Sequence, residues 1–207
     1  NTYSLSEISS SGIVNEGTLT VNDGKISANN SGVGVIGGIA TINGGEIYSN
    51  MAVSVAPAMP GDSCELIVNG GNISGEVNGI YVSGENGDVA VTINGGSISG
   101  KYSAIDNVGH SETTINGGVL TGGMLVSSYE GVSLGDGIAL YDENGKEVGF
   151  NNASDTAYAM PKGDYVVFVI NGGSATGYES MDSAIWAIGN NSGTIRLLKS
   201  YEIESGD

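Results

Sequence analysis

Asp106 and His110 stand four residues apart, and Lys101 and Tyr102 precede them closely. An acid, an imidazole, an amine and a phenol this near in sequence are the groups that move protons to and from sugars. Two chemistries would use them. A polysaccharide lyase needs Ca²⁺-binding carboxylates and an Arg or Lys that abstracts a sugar proton. A glycoside hydrolase needs two carboxylates, one to protonate the leaving oxygen and one to activate water. Asp106 is the one acidic residue at an outward strand position, so the second carboxylate is missing. A solvated acid beside a loop histidine is the competing reading.

Two other sets of residues suit binding. Tyr48, Tyr81 and Tyr102 offer flat faces on which pyranose rings can stack. The acids Asp62, Glu65, Glu85, Asp88 and Glu112 offer oxygen ligands for Ca²⁺. No Gly-Gly-x-Gly-x-Asp calcium repeat accompanies them, so the bland alternative is a solvated acidic ridge. Tyr81, Tyr102, Asp106 and His110 are the candidate ligand-binding residues. No catalytic set and no metal set is assigned.

What positions these residues is a phrase that recurs five times. It reads Thr20-Val21-Asn22-Asp23-Gly24-Lys25-Ile26-Ser27, and returns around Asn43, Asn69, Asn94 and Asn116. The asparagines are 21, 26, 25 and 22 residues apart, a period that belongs to a solenoid. Apolar residues flank an Asn-Gly-Gly or Asn-Asp-Gly step, where glycine permits the positive φ of a tight corner. They are almost all β-branched, which favours strand over helix. A third strand follows in each repeat, as in Val33-Gly34-Val35 and Ile80-Tyr81-Val82. The expected fold is all-β: a single-stranded, right-handed parallel β-helix with three strands per coil and a small C-terminal cap containing a helix.

Equivalent residues of such a coil stack in columns ~4.8 Å apart. Three inward columns are expected: Val21, Ile42, Val68, Ile93, Ile115; then Ile26, Ile47, Ile73, Ile98, Leu120; then Val33, Val53, Ile80, Ile105, Leu125. They make a core without large aromatics, consistent with two Phe and one Trp. An outward column would run Gly34, Ser54, Tyr81, Asp106, Val126 and place Tyr81 directly beside Asp106. The five asparagines would form an amide ladder. A regular Thr-x-Asn face also resembles the flat arrays of ice-binding solenoids, although Ile67 interrupts its threonine row.

Composition excludes several partners. The 207 residues carry a formal charge of −17 with six Lys and Arg. Such a surface repels nucleic acid, whose phosphates require cations, and it repels anionic membranes and acidic polysaccharides. No run of 18 apolar residues is present to span a membrane. The single Cys64 excludes an internal disulfide. A start at Asn1 without a leader reads as a mature or excised segment. Four Asn-x-Ser sites, at Asn29-Asn30-Ser31, Asn72, Asn152 and Asn190-Asn191-Ser192, match the N-glycosylation pattern, which has no force in a bacterial chain.

In chain order, residues 1–136 are read as coils, opening on a Ser-rich lead-in with Leu5 and Ile8. The links from each third strand to the next first strand vary most and share one corner, so they stack into a ridge where function is expected. Residues 137–176 break the period. They hold a hairpin signal around Asn144-Gly145, a buried strand at 165–170 and a further corner at Ile170-Asn171-Gly172-Gly173, read together as an enlarged last coil with an excursion. Residues 177–207 hold an amphipathic helix over 180–188, capped by Ser180 and Gly189 with Trp186 partly buried, then a strand from Thr194. The helix is expected to cap the solenoid, with the start of a further module as the alternative.

The repeated Thr-Ile-Asn-Gly-Gly-x-Ile-Ser phrase resembles the large repetitive β-helix proteins on the surfaces of Gram-positive gut bacteria. The runs Tyr178–Ile188 and Gly193–Lys199 are similar to a module that opens further β-helix segments in those proteins. The resemblance implies a piece of an exported, multidomain parent at the cell surface or wall, adhesin-like or carbohydrate-binding, with a glycan or host surface protein as partner; no cofactor is assigned beyond the Ca²⁺ option of the corner acids. Parallel β-helices also host pectin-cleaving enzymes, which keeps a lyase or hydrolase open as the alternative. A spacer without any ligand is the third reading.

Overall fold

The computed structural model describes residues 11–151, 155–171 and 173–199. The lead-in with Leu5 and Ile8, the Asn152 pattern, Gly172 and residues 200–207 lie outside the described residues. The chain is all-β with one short helix, and its first part is a β-solenoid of about 5 turns.

The strands pair in three parallel ladders. In the first, β2 (Thr18–Val21), β5 (Gly38–Ile42), β7 (Ser63–Val68), residues 88–93 of β8 (Asn72–Ile93), residues 111–115 of β9 (Ser97–Ile115) and β11 (Val132–Leu134) lie side by side. The second joins β3 (Lys25–Ser27), the starts of β6 (Glu46–Val55), β8 and β9, and the start of β10 (Gly118–Val126). The third joins β1 (Ser11–Asn15), β4 (Ser31–Val35), later parts of β6, β8 and β9, and the end of β10.

The expected columns are register partners throughout the first two ladders. The third departs once. Val126, not Leu125, pairs with Ile105, because the register shifts between Gly122 and Met124. Both residues are buried, so the core stays filled. Each asparagine amide donates to the carbonyl of the previous repeat's asparagine: Asn43 to Asn22 at 2.8 Å, Asn69 to Asn43 at 2.8 Å, Asn94 to Asn69 at 2.9 Å and Asn116 to Asn94 at 2.9 Å.

The corners need glycine for two separate reasons. The second glycine of the phrase has positive φ, 87° at Gly45 and 93° at Gly96. The first lies on the turn below: a Cβ on Gly44 would meet the Asn22 carbonyl oxygen at 2.6 Å, and one on Gly117 the Asn94 oxygen at 2.6 Å. A side chain there would force neighbouring turns apart.

Beyond Leu134 the chain reverses. β14 (Thr156–Pro161) runs antiparallel to β10 and to β12 (Ile138–Tyr141), and β12 pairs antiparallel with β13 (Glu147–Val148) across the Asn144-Gly145 turn. Leu140, Ala157 and Ala159 join the solenoid core, with Ile138, Val148 and Phe150 packed against it. These strands close the end of the core, a role the sequence reading gave to the helix. β15 (Val167–Asn171) lies between β16 (Ser174–Tyr178) and β17 (Thr194–Leu197), antiparallel to both. Asn171 therefore pairs with Ser174 in a hairpin, and β15 is followed by an antiparallel strand instead of another turn of the solenoid. The physical reason is β15 itself. It is apolar on both faces: Phe168 packs among Tyr141, Tyr158 and Tyr165, while Val167 and Val169 meet helix α1 (Met181–Ile188) through Ala184.

Ser180 caps α1 by accepting from the Ser183 N–H, and Gly189 follows its end, as expected. Trp186 is not partly buried: it is 86% exposed, since the sheet meets the opposite side of the helix at Met181, Ala184 and Ile188. Arg196 ties β17 to the hairpin through Glu143 at 2.6 Å.

Replacing Ile73, fully buried in the second ladder, by alanine is expected to lower the free energy of unfolding by ~3–4 kcal/mol. Asn69→Ala removes two exposed ladder bonds and is expected to cost only ~1 kcal/mol. Urea unfolding followed by circular dichroism checks both.

Candidate functional site

Tyr81 and Asp106 are direct register partners on the third ladder, as their spacing requires. Both are half-buried. The Asp106 carboxylate is engaged on each oxygen. Oδ2 accepts from the Asn78 amide at 3.1 Å, and Oδ1 accepts from the Ser127 hydroxyl. Asn78, itself buried, accepts from the Ser103 hydroxyl at 3.0 Å. The neighbour beyond Asp106 is thus Ser127 rather than Val126, a consequence of the same register shift in β10. A carboxylate held this way braces three turns. It has no second carboxylate beside it on the ladder, where the sequence places Ser54, Tyr81 and Ser127.

The other two candidates lie apart. Tyr102 stands in solvent at 53% exposure on the link into the third ladder. His110 follows Asp106 by four strand residues, ~13 Å of extended chain, with the positive-φ Gly109 just before it. His110 instead lines a cleft on the corner ridge, one whose lining does not include Asp106. Lys101 faces a separate shallow groove with Ser74, Ser99 and Thr121. Tyr48 donates to Glu76 Oε1 at 2.8 Å, and that hydrogen bond raises its pKa. The structure therefore joins Tyr81 with Asp106 and separates both from Tyr102 and His110.

A cleft of about 800 Å³ lies beside the first ladder. Its size is that of an ordinary ligand pocket. Glu65, Ala90 and Glu112 are successive register partners on its wall, and Asp88, Glu130 and His110 complete the polar rim. Rigid parts hold the rim. The buried Asn107 accepts from the Thr113 hydroxyl at 2.9 Å and donates to the Glu130 carbonyl at 2.7 Å, fixing the corner that carries Glu130. Gly131 passes so near the Ser111 carbonyl that a Cβ would meet it at 2.0 Å.

Cys64 and Ser111 also line the cleft, and both are buried. The Cys64 thiol donates to the Val35 carbonyl at 3.4 Å, and its pKa is pushed up to about 11 by burial and then by Asp62. Among the described residues no three His, Cys, Asp or Glu side chains group to hold a metal ion. The corner acids are strung along the ridge instead.

The sequence marks the ridge and names Glu65, Asp88, Glu112 and His110, yet it does not reveal the cleft. The sequence does not mark Glu130 as part of it, because its place depends on how links of different length fold over one another. The one available signal was that those links share a corner.

A comparison with protein-family models found none that matches, and comparisons with curated proteins and with solved structures likewise found no match.

A thiol with so high a pKa is almost wholly protonated at neutral pH and is a poor nucleophile. Cys64 is expected to react with an aromatic disulfide reagent at pH 8 at least ~100-fold more slowly in the native chain than in urea, given the pKa difference and its burial. Absorbance of the released thiolate measures this.

Proposed function

We propose that this chain is a non-enzymatic segment of a bacterial surface protein, a right-handed β-helix of three strands per coil that binds a glycan or a host surface protein outside the cell. The observation that carries the reading is the cleft on the corner ridge, where varied links on a rigid scaffold build a concave surface of ligand size. The repeat supports it too. An uninterrupted apolar core with hydrogen-bonded corners suits a stiff element that presents a surface. The chemistry near Asp106 favours binding over catalysis. Its carboxylate is occupied by Asn78 and Ser127, and among the described residues no acid–base pair faces it. Within this reading Tyr81 and Tyr102 are secondary contacts for sugar rings.

The test is a glycan array and a panel of host surface proteins probed with the labelled chain. Ala90→Arg fills the cleft from an exposed, outward position that leaves the core untouched. It is expected to weaken retention at least tenfold, whereas Tyr81→Ala weakens it less. Release of reducing or unsaturated sugar ends from a polysaccharide, abolished in Asp106→Asn, would replace this reading with an enzymatic one. An array and panel without hits would leave a spacer.

A further inference from the structure

An asparagine followed by glycine carries a slow reaction in its own backbone. The glycine nitrogen, unshielded by a Cβ, loses its proton and attacks the asparagine Cγ. The new N–Cγ bond closes a succinimide ring, while the Cγ–Nδ2 bond breaks and the nitrogen leaves as ammonia. Water then opens the ring at either carbonyl and leaves aspartate or isoaspartate. Isoaspartate routes the main chain through the former side chain and lengthens it. The attack needs an amide that is free to rotate toward the next nitrogen.

The sequence contains eight Asn-Gly steps, and the structure restrains most of them. Four are rungs of the ladder, where Asn43, Asn69, Asn94 and Asn116 each donate to the preceding asparagine. The buried Asn78 is gripped on both side-chain atoms, by Asp106 and by Ser103. Asn86 donates to the Pro57 carbonyl at 3.2 Å, and its Gly87 lies so close to the Asp62 carbonyl that a Cβ would meet the oxygen at 2.0 Å. Asn171 precedes Gly172, which lies outside the described residues. Asn144 differs from all of these: its side chain is exposed and has no hydrogen bond among the described residues.

Asn144 stands in the turn between β12 and β13. The Gly145 N–H donates to the Asp142 carbonyl at 3.0 Å, and the Asp142 carboxylate accepts from the N–H groups of Asn144 and Lys146, both at 2.9 Å. β13 is only two residues long, so this turn opens locally at small cost and frees the Gly145 nitrogen. The same turn grips the C-terminal sheet. Glu143 holds Arg196 of β17, and Gly145 lies against Leu198, which a Cβ would meet at 2.6 Å.

We propose that Asn144-Gly145 is a self-deamidation site, where the folded chain converts to isoaspartate with age, and that the conversion slackens the hold of the hairpin on β17. A longer main chain at this point disturbs the pairing of Leu140 with Val148 and of Tyr141 with Glu147. The product also sets a new carboxylate beside Glu143. The ladder asparagines are spared because the bond that ties one turn to the next also fixes the amide that would have to rotate. None of this depends on a ligand.

The test ages the chain at mildly alkaline pH, folded and in urea, and locates the product by peptide mass spectrometry, with an isoaspartate methyltransferase marking the iso form. In the folded chain Asn144 is expected to be lost at least tenfold faster than any ladder asparagine, and in urea the rates should converge. Asp142→Ala deletes both carboxylate bonds of the turn and should speed the loss at Asn144 by ~5-fold. Loss in the folded chain that is absent, spread evenly, or centred on Asn86 or Asn171 would overturn the site. Ageing should also lower the melting temperature read by near-ultraviolet circular dichroism of the tyrosines, and Asn144→Ala should age without that shift. An aged chain rich in isoaspartate at this position that melts as the fresh one does would overturn the link to β17.

Discussion

Everything in the solenoid depends on how closely one turn can approach the next. Backbone hydrogen bonds between turns fix the separation along the ladders, and the corners must match it without side chains in the way. The paired glycines of the phrase meet that constraint. One supplies positive φ, and the other leaves room for the asparagine carbonyl of the turn below. The asparagine then uses its own side chain to bond its equivalents above and below. Strand, corner and ladder are solutions to a single distance.

The same constraint decides where variation is allowed. The three long inward columns are apolar and of similar volume, and each corner keeps its asparagine and its second glycine. The links between the third and first ladders face no comparable limit, and their lengths differ from turn to turn. Folded against a stiff wall, they leave a cleft whose rim is held by buried polar groups such as Asn107 and Thr113. Asp106 sits on the rigid side of this division and is used as a brace, which is why its neighbourhood offers so little to a substrate.

Most of the solenoid is legible in the sequence because its signals are local and repeated. Ile42 and Ile93 announce a column by type and spacing alone. What escapes is set by contacts between distant segments. Val126 replaces Leu125 beside Ile105 because a single register shift in β10 is invisible to a pattern with both residues apolar. Asn171 carries the same phrase as Asn94, but β15 before it is apolar on two faces and must be covered on both, so the chain folds back. The cleft acids were readable as charges. That they line one cleft was not, since links of differing length, such as the one that carries Glu130, complete its rim.

The only tryptophan lies on the water-facing side of α1. Its indole is hydrated in the native chain, so its emission already resembles that of the unfolded state. Intrinsic fluorescence is therefore nearly blind to melting of the coils. The optical reporters of tertiary order are the phenol rings of Tyr141, Tyr158 and Tyr165 packed around Phe168, and they report on the closing strands rather than on the repeats.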